Sequence, residues 1–95
     1  MYTSTADVKT EHGSRYLQQL CKHWSHRFTV EFDEKSGKVP FSDNANVEFT
    51  ADPSKLHMVL NVAAENDLER MQNVVADHLK RFAFREELEI IWTRQ

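Results

Sequence analysis

The fold is decided by residues 47–62, which have the sequence VEFTADPSKLHMVLNV. Apolar residues occupy alternate positions on both sides of a central Asp52-Pro53 pair: Val47, Phe49 and Ala51 before it, and Leu56, Met58, Leu60 and Val62 after it. A period of two is typical of a strand with one buried face, and Asp followed by Pro favours a tight type I turn. This stretch therefore predicts two antiparallel strands that bury the same face of one sheet.

Alternation of the same kind extends the sheet in both directions along the chain. The further segments predicted as strands are residues 2–9, 28–32, 39–41 and 88–92. Pro40 lies inside one of them, and because proline has no N–H to donate, that segment is expected at an edge or at a bulge.

Two stretches change to the helical period. The first begins at Gly13, with Ser14 as the expected cap of its free N–H groups, and the second begins with Asn66 as the expected cap. Each has one apolar stripe, formed in the first by Tyr16, Leu17, Leu20, Cys21 and Trp24 and in the second by Leu68, Met71, Val75, His78, Leu79 and Phe82. The order β-α-β-β-β-β-α-β therefore predicts an α+β two-layer sandwich, a mostly antiparallel sheet with both helices on one face.

Composition narrows the class of protein. Its 95 residues suit a single domain, 1–95, and a formal charge of −3 argues against binding nucleic acid. The lone cysteine, Cys21, fits a reducing compartment, and neither a signal peptide nor a membrane-spanning run is visible. We therefore expect a cytoplasmic protein that does not contact the membrane.

Histidines are the main candidates for ligand chemistry. His23 and His26 are three residues apart on the first helix, and His78 lies on the core-facing stripe of the second. If the helices pack side by side, His23 approaches His78, with Cys21 or a carboxylate completing a metal site and Trp24 lining it. The simpler interpretation is that a core-facing histidine donates to a carbonyl and fills space. No HExxH or paired CxxC motif supports a metal, so no cofactor is predicted.

Residues 80–87 combine two arginines, Arg81 and Arg85, with two phenylalanines, Phe82 and Phe84. Arginines beside exposed aromatics suit an anionic ligand or an acidic partner. The structural alternative, which the sequence favours, is that both phenylalanines fasten the helix to the sheet while the arginines pair with neighbouring glutamates.

The second face of the sheet is expected to be bare. If the strands 56–62 and 88–92 are neighbours, Val59 and Ile91 form an apolar centre on that face. Such a surface is a candidate for homodimerisation or for docking a protein partner.

Three stretches resemble a known family: residues 15–26 (RYLQQLCKHWSH), residues 51–53 (ADP) and residues 78–88 (HLKRFAFREEL) with WTR at 92–94. Together they resemble the bacterial family called domain of unknown function 2218. The resemblance implies no established activity. Because some members are C-terminal extensions of siderophore-interacting flavoproteins, it implies a link to iron or siderophore use and an association with a siderophore reductase. This chain lacks the flavin- and nicotinamide-binding regions, so reductase activity is not implied.

These observations predict a non-enzymatic accessory or interaction domain. The alternative is a small-ligand or metal-binding protein that uses His23, His26 and His78, with Trp24 beside them. An enzyme is the least favoured class, because no acid, base and nucleophile converge in the sequence.

Overall fold

A computed structural model describes residues 1–95 and contains one six-stranded sheet with two α-helices. The elements are β1 (Tyr2–Lys9), α1 (Gly13–Trp24), β2 (Glu31–Phe32), β3 (Ser36–Ser42), β4 (Ala45–Ala51), β5 (Lys55–Val62), α2 (Leu68–Phe82) and β6 (Thr93–Arg94). The predicted α+β class and element order are confirmed. Neither helix is long and apolar enough to cross a membrane.

Every strand pairing in the sheet is antiparallel, and the spatial order is β2-β3-β4-β5-β1-β6. The predicted turn between β4 and β5 is held by the Asp52 carboxylate, which accepts the backbone N–H groups of Ser54 and Lys55 at 2.8 and 3.0 Å. Those bonds lower the pKa of Asp52. The register of β3 against β4 shifts between Pro40 and Ser42, which confirms the bulge expected at the proline.

Both helices cover the same face of the sheet. Alternate residues of the long strands point at them, and a single cluster of 20 buried residues fills the space between the layers. Leu17 and Leu20 of α1 and Val75 and Leu79 of α2 have no exposed surface in this cluster. Burial of these stripes is the main force that holds the helices on the sheet.

Two predicted strands are shorter than expected. Only Glu31–Phe32 of the segment 28–32 is paired, because the chain first turns out of α1, where Arg27 and Phe28 donate their N–H groups to the Trp24 carbonyl. The strand predicted over residues 88–92 is found only at Thr93–Arg94, which pair with β1. Leu88, Ile90 and Trp92 nevertheless pack against the core, so their alternation reports burial rather than pairing.

The caps of both helices differ from the prediction. His12 occupies the N-cap of α1, and the Ser14 hydroxyl instead donates to the Glu34 carbonyl at 2.5 Å. A turn of 3₁₀ helix at Glu65–Asp67 precedes α2, so Asn66 is not the cap. The helix beginnings are therefore held mainly by tertiary packing rather than by side-chain caps.

Candidate functional site

The C-terminal turn of α1 and the second half of α2 bring His23 and His78 together. Their ring centroids are 5.4 Å apart with the planes tilted by 44°. The Trp24 ring lies 5.0 Å from His78, and the Phe82 ring lies 5.9 Å from His23. His23 is exposed and His78 is half-buried, so the pair opens to solvent on one side. We call these four residues the histidine cluster.

His78 is oriented by its own helix. Its Nδ1 lies 2.7 Å from the Val74 carbonyl oxygen. A carbonyl only accepts, so Nδ1 carries the hydrogen and donates it, and Nε2 takes no part in this bond. The predicted hydrogen bond from a core-facing histidine to a carbonyl is therefore found at Nδ1 of His78, whereas Nε2 is not used in it.

Other predicted members of this site lie elsewhere. His26 is exposed beyond the end of α1. Its backbone N–H donates to the His23 carbonyl at 3.4 Å, but its side chain does not join the cluster. Cys21 is buried against Gly37 of β3, and burial raises the pKa of its thiol to about 11. No three His, Cys, Asp or Glu side chains are grouped so that they could hold a metal ion. The prediction that Cys21 or a carboxylate completes a site with the two histidines is wrong.

The two phenylalanines at the end of α2 and in the turn after it lie in different environments. Phe82 packs against the core, as predicted, but Phe84 is 76% exposed and fastens nothing. Ala83, the C-cap residue of α2, is buried, and the side chain that follows it points into solvent. The Arg85 guanidinium lies over the Phe84 ring, 5.5 Å from its centroid, and both stay in solvent.

The expected pairing of the two arginines with neighbouring glutamates is not found. Glu86 points inward, where its carboxylate accepts the Tyr16 hydroxyl and, at 3.0 and 3.1 Å, the Thr10 hydroxyl. Neither Arg81 nor Arg85 forms an ion pair, since the four pairs of the molecule involve other residues. We call Arg81, Phe84 and Arg85 the aromatic-cationic tip.

The anchor formed by Glu86, Tyr16 and Thr10 was not predicted from the sequence. A buried tyrosine normally finds a hydrogen-bond partner, and the position of Tyr16 on the apolar stripe was the available signal. Burial and the Glu86 carboxylate raise the pKa of Tyr16 to about 12. This anchor ties the turn after α2 to the first helix.

The open face of the sheet is polar. Thr3 donates to Asn61 at 2.7 Å, Asn61 donates to Asn46 at 3.1 Å, and His57 lies 2.6 Å from Asp7. The hydrogen bond to His57 is the largest of the effects that lower the pKa of Asp7.

Val59 is half-buried on this face and Ile91 is 63% exposed. Strand β1 lies between β5 and β6, and Thr5 stands opposite Val59. The predicted apolar centre of Val59 and Ile91 on neighbouring strands is therefore wrong. A groove of about 490 Å³ runs over this face, lined in part by Lys38, Glu48 and Val59.

These features define a two-layer α+β domain with one face of its sheet covered by helices and the other open. The chain belongs to the family described as "Uncharacterized protein conserved in bacteria (DUF2218)", whose family model matches residues 5–93. It is similar to the protein PA4090 from Pseudomonas aeruginosa, known from an NMR structure, with 48% sequence identity and a TM-score of 0.81. That match covers 98% of this chain and 96% of the other. No curated protein matches.

Proposed function

We propose that this chain is a non-enzymatic interaction domain that binds an acidic partner protein through the aromatic-cationic tip. The observation that carries the proposal is the 76% exposure of Phe84 with the Arg85 guanidinium over its ring, while neither Arg85 nor Arg81 forms an ion pair within the chain. Aromatic and arginine side chains dominate the binding energy of protein interfaces when a partner buries them. Covering Phe84 removes apolar surface from water, and Arg81 and Arg85 supply direction and charge.

The positive side chains of the aromatic-cationic tip favour an acidic segment as the partner. The whole chain carries a formal charge of −3, whereas residues 80–87 hold three cations, Lys80, Arg81 and Arg85, against two carboxylates. Of those two, Glu86 is turned toward Tyr16 and Thr10, so Glu87 is the one left exposed beside Arg85. Carboxylates form paired, two-point hydrogen bonds with guanidinium groups, which suits an acidic segment with an apolar residue to cover the Phe84 ring.

The groups that could carry out catalysis in this chain are buried or already engaged in other contacts. The only thiol is buried, with its pKa raised to about 11, so it is not an available nucleophile. The carboxylate of Glu86 is engaged by two hydroxyl groups in the anchor.

Photo-crosslinking tests the proposal in bacterial cells. A photoreactive phenylalanine is placed at position 84, in the turn after α2, and, as the matched control, at the exposed Glu69 in the first turn of α2. We expect one dominant protein adduct at position 84, reduced at least fivefold when R81E and R85E are added. Equal adducts at both positions, or an adduct insensitive to charge reversal, would overturn the proposal.

We also propose, from the family resemblance, that the acidic partner is a siderophore-interacting reductase in the cytoplasm, where Cys21 stays reduced. Calorimetry with such a purified flavoprotein tests this directly. Binding that is abolished by R81E/R85E would support the link to iron use. Absence of binding at about 100 µM reductase would exclude that partner and leave the proposal of the aromatic-cationic tip intact.

Self-association through the open sheet face is the second candidate for interaction. The uncovered six-stranded surface favours it, although its polar ladders suit a weak, hydrogen-bonded contact rather than a permanent dimer. Light scattering on the wild type and on V59K/I91K distinguishes the outcomes. A concentration-dependent dimer lost in the double variant supports self-association, and a monomer at every concentration excludes it.

A further inference from the structure

We infer that His23 and His78 form a two-imidazole site for a divalent transition-metal ion, separate from the proposed docking tip. Two imidazoles that each give one nitrogen to a tetrahedral ion, at metal–nitrogen distances of about 2.0–2.1 Å, have ring centroids about 5 Å apart. The observed separation of 5.4 Å is close to that distance.

His78 is prepared for this role by its second nitrogen. Histidines that bind metals almost always donate the other ring N–H to a carbonyl or a carboxylate, which fixes the tautomer and the ring orientation. The bond from Nδ1 to the Val74 carbonyl, 2.7 Å long, does this here and leaves Nε2 as the ligand atom.

The surroundings hold the His78 ring and leave the His23 ring reachable. Trp24 lies 5.0 Å from His78 and is itself buried and packed on Phe41, 5.1 Å away, and on Phe49, so His78 stands against a packed aromatic wall. His23 is exposed, which gives an ion direct access from solvent.

Only two protein ligands are available, since no third His, Cys, Asp or Glu joins them. The remaining coordination positions would belong to water or to a small chelating molecule, so the bound ion would exchange readily. Imidazole nitrogens suit Zn²⁺, Ni²⁺ and Cu²⁺, and the expected order of affinity is highest for Cu²⁺.

Calorimetry and NMR on tag-free, ¹⁵N-labelled protein test the site with Zn²⁺ and Ni²⁺ alone as probes. We expect one ion per chain, with affinity reduced at least tenfold in H23A and in H78A. The matched control is H26A, which removes an exposed histidine two residues beyond α1 and is expected to bind within twofold of the wild type.

Imidazole ¹⁵N shifts keep the test decisive even if H78A folds poorly. Diamagnetic Zn²⁺ should shift Nε2 of His78 while Nδ1 keeps its hydrogen. No binding at millimolar ion, an equal loss in H26A, or coordination through Nδ1 would overturn the inference. None of these results bears on crosslinking at Phe84, so the metal site and the docking tip are tested independently of each other.

Discussion

Removing the Glu86 carboxylate is the sharpest perturbation of the turn that presents Phe84. The Tyr16 side chain is 5% exposed, and its hydroxyl donates to Glu86, as does the hydroxyl of the buried Thr10. In E86A both hydroxyls lose this acceptor inside the protein. An unsatisfied buried group costs about 1–3 kcal/mol, and hydrogen bonds to a charged group are at the strong end of the range.

We therefore expect E86A to lower the free energy of unfolding by about 2 kcal/mol. For a domain of this size that corresponds to a fall in Tm of about 10 °C. Y16F removes one donor and leaves the carboxylate with Thr10, so its cost should be smaller, about 1 kcal/mol. The double variant Y16F/E86A should cost less than the sum, because the two groups share one interaction.

Urea unfolding followed by circular dichroism measures these values. The control is E87A, which removes the exposed neighbouring carboxylate and should change stability by less than about 0.5 kcal/mol. If E86A is as stable as E87A, or if the losses of Y16F and E86A simply add, the anchor does not hold the turn.

Three other predictions concern the packing around the sites. A Cβ added at Gly37 would lie 2.6 Å from the Cys21 sulfur, so G37A should cost about 1–3 kcal/mol in urea unfolding, and adding C21A should recover part of it; no recovery would contradict the contact. F84A should leave the Tm within about 2 °C, whereas F82A should cost about 2 kcal/mol; the reverse order would show that Phe84 is the packed residue. Folding raises the pKa of Cys21 from 9.0 to about 11 and that of Tyr16 from 10.0 to about 12. Stability should therefore be unaffected by these groups below pH 9 and fall as pH rises toward 12, with C21A delaying the onset; a flat profile to pH 12 would refute both shifts.

The sequence predicted most of the fold because the spacing of apolar residues reports burial directly. Strands β1, β4 and β5 and both helical stripes follow that spacing into one core. Spacing does not report which strand lies beside which, so the segments 28–32 and 88–92 were assigned more pairing than they have. Their alternate side chains still pack on the core without a ladder of hydrogen bonds.

The sites were less predictable because they depend on contacts between distant residues. The approach of His23 to His78 followed from the packing of two stripes on one face. The exposure of Phe84 depends on where α2 ends, and the capture of Glu86 by Tyr16 joins residues 70 positions apart. Neither contact has a local signature in the sequence, and together they leave Phe84 and Arg85 in solvent without an ion pair to Glu86.

The dissociation constant of the purified partner captured at position 84 decides whether the tip or the sheet face binds it. F84A should weaken binding at least tenfold, while V59K, on the opposite side of the sheet from the helices, should leave it within twofold. Binding that survives F84A and is lost in V59K would place the interaction on the open sheet face instead of the aromatic-cationic tip.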